Sequence, residues 1–250
     1  MKLITLILFA MIVMSTYLIE GIIGFGGTLL ALPLVSNVVG MKTAVDVLVI
    51  VILFASAWVS IRDRNYIDLK VLKWILLFML PGLPVGMWLF AVLPEKPLKI
   101  ALGIFMIFVG IKGLYTAFKF SKASSRPSKK DSLLAKWLMP LSLFLGGIIH
   151  GAFTCGGPFV VIYAKKHITH KTSFRATLCA LWTLLNGIML TMSFLRHDLS
   201  QEIILLSIWT LPFMVFAIWL ANLLHHKLRA EIFTHIVNAA LIGSGILMML

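Results

Sequence analysis

The sequence predicts an all-α polytopic membrane protein built from two inverted repeats, each a glycine-broken helical hairpin followed by three transmembrane helices. Three observations carry this. The 250 residues are 60% hydrophobic and only 12% charged, with a mean hydropathy of +1.03, whereas a soluble domain carries about a quarter charged residues. Apolar runs of membrane-spanning length recur from end to end. A glycine-rich frame also occurs twice, 130 residues apart.

The first apolar run, Leu3 to Ile19, ends at Glu20 and the glycine-rich Gly21 to Gly27. It imitates a signal peptide, but no small-x-small cleavage site follows, and it is expected to stay as the first helix. Thr28 to Val39 is next; about twelve residues make roughly 18 Å of helix, too short for a hydrocarbon core of about 30 Å. Ala44 to Ile61 is a full span. Val71 to Leu93 is interrupted by Pro81-Gly-Leu-Pro84, where a kink is expected. Leu98 to Phe118 completes the first repeat, residues 1–118. Residues 119–136, rich in Ser and Lys, predict a flexible basic linker.

The second repeat, 137–250, follows the same plan. Leu133 to Ile149 enters a stretch with five glycines between residues 146 and 158, and the short run Phe159 to Ala164 follows. Three spans close the chain: Ser173 to Leu195, Ile203 to Leu224 and Ile232 to Leu250. The frame Glu20-Gly-x4-Gly26-Gly27 matches His150-Gly-x4-Gly156-Gly157, and Pro81 and Trp88 match Pro212 and Trp219 at an offset of 131. Agreement at several points indicates an internal duplication.

Charge chooses between topologies. The net charge is +13, from 22 Lys and Arg against 9 Asp and Glu. Such a balance raises nucleic acid as a partner in a soluble protein. Here the basic residues sit in the short gaps between apolar runs, without an RNA-binding aromatic motif, and nucleic acid is excluded. If each broken segment crosses once, the basic residues divide 13 to 9. If it forms a hairpin, seventeen gather on one side (62–73, 112–136, 165–175, Lys227 and Arg229) and five on the other (Lys2, Lys42, Lys96, Lys99, Arg196). The positive-inside rule selects the hairpin. A hairpin plus three spans starts and ends each half on opposite sides, so the halves insert upside down relative to each other. Both termini are then expected outside and the 119–136 linker in the cytoplasm. Inverted repeats with interrupted helices at matching positions point to a secondary transporter with a midplane site.

Gly26-Gly27 and Gly156-Gly157 each precede a short helix. Their N–H groups, with the positive helix end, form a candidate anion cradle, and Gly24 lies in the same loop. Pro158 suits the first helical turn. Close helix packing is the other role open to these glycines; two motifs in register favour a site. Thr28 and Thr154 offer hydroxyls to an oxyanion. Cys155 stands as a substrate contact or a small buried hydrophobe; Cys179 is expected to pack. Neither cysteine has metal-ligand spacing.

Ionisable groups at membrane depth default to function. Glu20 and His150 occupy matching positions and are candidates for proton coupling, His150 because imidazole titrates near neutrality. The alternatives place Glu20 at an aqueous mouth and hydrogen-bond His150 to a carbonyl. Asp46 and Arg175 begin the helices after each hairpin, as caps, anchors or a gate pair. Asn186, matching Ser56, either lines the cavity or bonds between helices. Lys112 is expected to snorkel, and the Trp and Tyr residues to form the interface belt. His225-His226 lacks a third ligand at metal spacing.

At Gly21-x4-Gly-Gly-x5-Pro33 and Gly151-x4-Gly-Gly-Pro158, and in helix count, linker and duplicated layout, the chain resembles the TauE/SafE sulfite exporter family over essentially its whole length. It departs where Tyr163 stands in place of the first half's Pro33 and Pro158 directly follows Gly157. The resemblance implies a plasma-membrane permease that moves sulfite, sulfoacetate or a related organosulfur anion, commonly outward. No nucleotide-binding loop is present, and no cofactor or metal is expected. Two other classes are weighed: a membrane-embedded enzyme, for which only Cys155 with His150 suggests a nucleophile and base, and a channel-like or assembly subunit without active transport. Association into a homo-oligomer stays open.

Overall fold

The computed structural model describes residues 3–23, 26–121, 133–224 and 230–249. Gly24, most of the linker, and His225-His226 with Lys227 lie outside the described residues. Among the described residues ten α-helices follow in order: α1 (Leu3–Ile23), α2 (Gly27–Val39), α3 (Met41–Arg62), α4 (Leu69–Val92), α5 (Glu95–Ser121), α6 (Leu133–Phe153), α7 (Gly157–His167), α8 (Lys171–Leu195), α9 (Gln201–Leu224) and α10 (Ala230–Met249). A 3-10 turn at Arg64–Tyr66 joins α3 to α4, and no strand occurs among the described residues. Six helices, α1, α3, α4, α5, α8 and α9, are long and apolar enough to cross a membrane. Many of their large apolar side chains face outward, Trp58, Trp88, Phe108 and Trp219 among them. In water that surface would cost about 25 cal/mol per Å², whereas in lipid it costs nothing. The chain is a multi-pass membrane protein.

The helices with 13 and 11 residues, α2 and α7, span only about 20 and 17 Å at 1.5 Å per residue. Each folds back on the helix before it. A Cβ on Gly27 would meet Glu20 and the Thr16 carbonyl; Gly156 lies against Gly146 and His150, and Phe159 against Gly146. Both turnarounds are tight because glycine stands at the contacts.

The breaks are shorter than the glycine pattern suggests. α1 carries its helix past Glu20 to Ile23, and α6 runs through Gly146, Gly147 and Gly151 to Phe153, leaving only Thr154–Gly156 between helices. α4 also runs through Pro81 and Pro84 without interruption. The cause is packing between α4 and α6. A Cβ on Gly82 would strike the Phe144 carbonyl, one on Gly86 the Ile148 carbonyl, one on Gly147 the Met79 carbonyl and one on Gly151 the Leu83 carbonyl. These four glycines serve backbone-to-backbone approach. Met79–Gly147 and Leu83–Gly151 advance together, so α4 and α6 are parallel.

The pairings persist when the halves are exchanged. α1 packs on α9 as α6 packs on α4, α3 touches α9 as α8 touches α4, and α1 meets α2 as α6 meets α7. Two pairs join a helix to its own counterpart, α3 with α8 and α5 with α10. Both are antiparallel. Ser56 meets Thr183 and Leu53 meets Gly187; Gly103 meets Met249 while Gly110 and Gly113 meet Asn238. At the Arg175 end, Asp68 caps α4 by accepting from the Lys70 and Val71 N–H at 3.1 and 3.0 Å, while its own N–H donates to Thr177 Oγ1 at 2.9 Å. At the other end, the Met41 N–H donates to Glu95 Oε1 at 3.2 Å, and Lys99 Nζ stands 2.9 Å from the same oxygen.

Candidate functional site

A cavity of about 30 Å³ lies where the two helix breaks meet the α3/α8 seam. Glu20, Gly26, Thr28, His150, Thr154, Cys155 and Gly157 all border it, with Leu29, Ile52, Pro158 and Trp182. Three pairs in this wall are counterparts at an offset of 130: Glu20 with His150, Thr28 with Pro158, and Ile52 with Trp182. The cavity is therefore bordered by matching positions of both halves. In size it suits a water or two.

The two helix entrances differ. Gly26 holds φ at 98°, in the left-handed region open to glycine, and starts α2 without a side-chain cap. The Glu20 carboxylate turns toward the backbone N–H groups of Gly27 and Thr28, and its Oε2 is sealed from solvent without a hydrogen-bond partner. The chain's own carboxylate thus stands where an anion was expected. At the second entrance, Pro158 in the first turn of α7 removes one donor, and His150 replaces the carboxylate. Its ring is 1% exposed, stacks on Trp182 with centroids 5.0 Å apart at 16°, and leaves both nitrogens without a partner. The alternative of a His150 hydrogen bond to a carbonyl is overturned.

Thr154, the counterpart of Gly24, has φ 56°. A side chain in this region costs roughly 1–2 kcal/mol. Its N–H donates to the His150 carbonyl at 2.7 Å and its hydroxyl to the Phe153 carbonyl at 2.6 Å, so the hydroxyl faces back toward α6. Cys155 is buried at the cavity wall. With both His150 nitrogens unpartnered, thiol and imidazole form no hydrogen-bonded nucleophile–base pair. Gly27 and Gly156 stand behind Glu20 and His150 and admit those side chains.

Two further cavities continue along the seam. One of about 80 Å³ is lined by Tyr17, Glu20, Ile52, Ser56, Arg175, Cys179 and Trp182, among others. It shares Glu20, Ile52 and Trp182 with the central cavity, so these three side chains form the partition. At the opposite end a cavity of about 390 Å³ is lined by Lys42, Asp46, Arg196, Asp198, Ser193 and Gly151, among others. Asp46 and Arg175 are therefore not a gate pair. Measured from the Ser56–Thr183 contact, they stand in opposite directions along antiparallel helices, roughly 27 Å apart at 1.5 Å per residue. Asn186 lines none of these three cavities: it is fully buried, its Nδ2 donates to the Trp182 carbonyl at 2.8 Å, and Oδ1 has no partner.

The structure adds residues that sequence reasoning assigned elsewhere. Tyr17 and Trp182, expected in the interface belt, stand at the cavities, and the buried Tyr17 hydroxyl has no hydrogen-bond partner. Tyr17 precedes Glu20 by one helical turn, which places both on one face. Trp182 is the 130-residue counterpart of Ile52, a signal open to anyone extending the repeat beyond the glycines. Among the described residues, no group of three or more His, Cys, Asp or Glu could hold a metal ion.

Comparison with curated proteins and with solved structures finds no match. The model of the family described as "Sulfite exporter TauE/SafE" matches residues 7–248, nearly the whole chain. With this coverage, the chain belongs to the TauE/SafE sulfite exporter family.

Proposed function

We propose that this protein is a secondary transporter of a small anion, with sulfite, sulfoacetate or a related organosulfur anion as substrate. The observation that carries this reading is the exchange-related lining of the central cavity, where two glycine-started short helices meet. A binding site shared by two equivalent halves can be offered to either membrane face by the same rearrangement. The antiparallel pairing of counterparts, α3 with α8 and α5 with α10, supports two inverted repeats (1–118 and 137–250) joined by a cytoplasmic linker at 119–136. Family membership supports placement in the plasma membrane, and seventeen basic residues against five support both termini outside. Gly26, Gly157, Thr28, Thr154 and Cys155 would contact the anion, Glu20 and His150 would couple it to protons, and Asp46 and Arg175 would each serve the mouth at their own end.

Purified protein in liposomes should take up labelled sulfite or sulfoacetate above protein-free liposomes, with a rate that responds to an imposed pH gradient. No flux of either anion would remove the transporter reading in favour of an enzyme or assembly subunit. For topology, alkaline phosphatase fused after Leu250 should be active and fused green fluorescent protein dark; the reverse pair of results would overturn the orientation.

A further inference from the structure

We propose that the transported anion displaces the Glu20 carboxylate from the N-terminus of α2, so that each anion binds together with one proton. This rests on the transporter reading and specifies its coupling. A helix N-terminus of 13 residues attracts negative charge through unpaired N–H groups and the macrodipole. In this protein that place is taken: Glu20 turns its carboxylate toward Gly27 and Thr28, and glycine at 27 is required because a Cβ would collide with Glu20 itself. The same cavity holds a second polar group with nothing to bond, the buried His150 ring with both nitrogens unpartnered. Donors at α2, an unsatisfied imidazole and a carboxylate therefore share a space of about 30 Å³. A substrate anion and an ionised Glu20 cannot both occupy it, since like charges in a site of low dielectric repel strongly. Protonation removes the negative charge and weakens the hold of Glu20 on the N–H groups. The anion then takes them.

The surroundings of Glu20 fit such a displacement. From α1 the Tyr17 hydroxyl faces it, and from α2 the backbone N–H groups of Gly27 and Thr28 do. The α6–α7 turn brings His150, Thr154 and Cys155, α3 brings Ile52 and Ser56 and no charged group, α8 brings Arg175, Cys179 and Trp182, and α9 brings Ile218. Glu20 also lines the cavity that contains Arg175, so it has a polar space beside it into which to withdraw. Anion and proton then cross in the same direction.

Two measurements test this. In liposomes, an inward proton gradient should accelerate sulfoacetate and sulfite uptake by the wild type whichever way the protein inserts. In Glu20→Gln the ratio of rates with and without the gradient should fall to about one. Both proteins are compared at identical pH values, so the titration of sulfite itself cancels. A Glu20→Gln protein that keeps the wild-type ratio overturns the proposal while leaving the transporter reading in place; absence of wild-type flux removes both. Calorimetry needs no variant. Wild-type protein binding sulfoacetate in buffers of different ionisation enthalpy, at a pH where free Glu20 is ionised, should take up close to one proton per anion, with apparent affinity falling about tenfold per unit rise in pH there. Binding without proton uptake overturns the proposal.

Discussion

Replacing Gly147 by valine is expected to lower the melting temperature of the detergent-purified protein by roughly 6–12 °C, or to prevent recovery of a monodisperse protein. Even the first carbon of a side chain at 147 would collide with the Met79 carbonyl, and that obstacle is backbone, which cannot rotate away. Overpacking in a well-filled core costs about 1–3 kcal/mol and more when backbone must move. For a chain of this size each kcal/mol is worth about 2–4 °C. Gly243→Ala is the matched control, because a Cβ there meets nothing within 4 Å and removal of glycine from a helix gains about 1 kcal/mol. Both can be read by scanning fluorimetry. A Gly147→Val protein melting within a degree or two of wild type would show that α4 and α6 do not approach at this seam.

His150→Phe is expected to separate stability from transport. Phenylalanine keeps a ring against Trp182 and removes two nitrogens that are buried without partners. An unsatisfied buried polar group costs about 1–3 kcal/mol, and the adjacent cavity of about 30 Å³ accepts the added volume. The melting temperature should therefore hold or rise. Sulfite flux should fall about tenfold or more, because the cavity loses its imidazole and most of its free space. His150→Gln, which restores a hydrogen-bonding group, should recover part of the flux. Unchanged flux in His150→Phe would remove His150 from the transport site. A melting temperature several degrees lower would mean that the nitrogens are bonded in the resting protein. Most residues put stability and activity on the same side; this one opposes them, which makes the pair of measurements informative.

Much of the fold was legible in the chain. Apolar length located the helices to within a few residues, and α2 and α7 were already too short to span. The frame shared by Glu20 and His150 named the counterparts that border the cavity, and charge counting required hairpins, in agreement with the folding back of α2 and α7. Gly26 and Gly156 were correctly placed at the breaks. Gly147 and Gly151 were assigned to the same break but lie inside α6, because glycine marks both unwound backbone and close helix contact with the same letter. Trp182 was missed because an aromatic residue in a membrane segment is most often an interfacial anchor. Asp46 and Arg175 looked like partners because their positions in the two halves nearly match, yet α3 and α8 run antiparallel, which sends such positions to opposite ends.

The sequence by itself determined the membrane class, the run of helices and the two breaks. These follow from hydrophobic length, charge placement and internal repetition, which are properties of segments and need no knowledge of neighbours. Only the tertiary structure decided which glycines face another backbone, that Ile52 and Trp182 partition the cavities, and that Glu20 occupies the α2 entrance. A residue's surroundings in a helical membrane protein come largely from other helices. Glu20 as a residue type is readable in the chain; the N–H groups and the unpartnered imidazole around it are brought to it by folding.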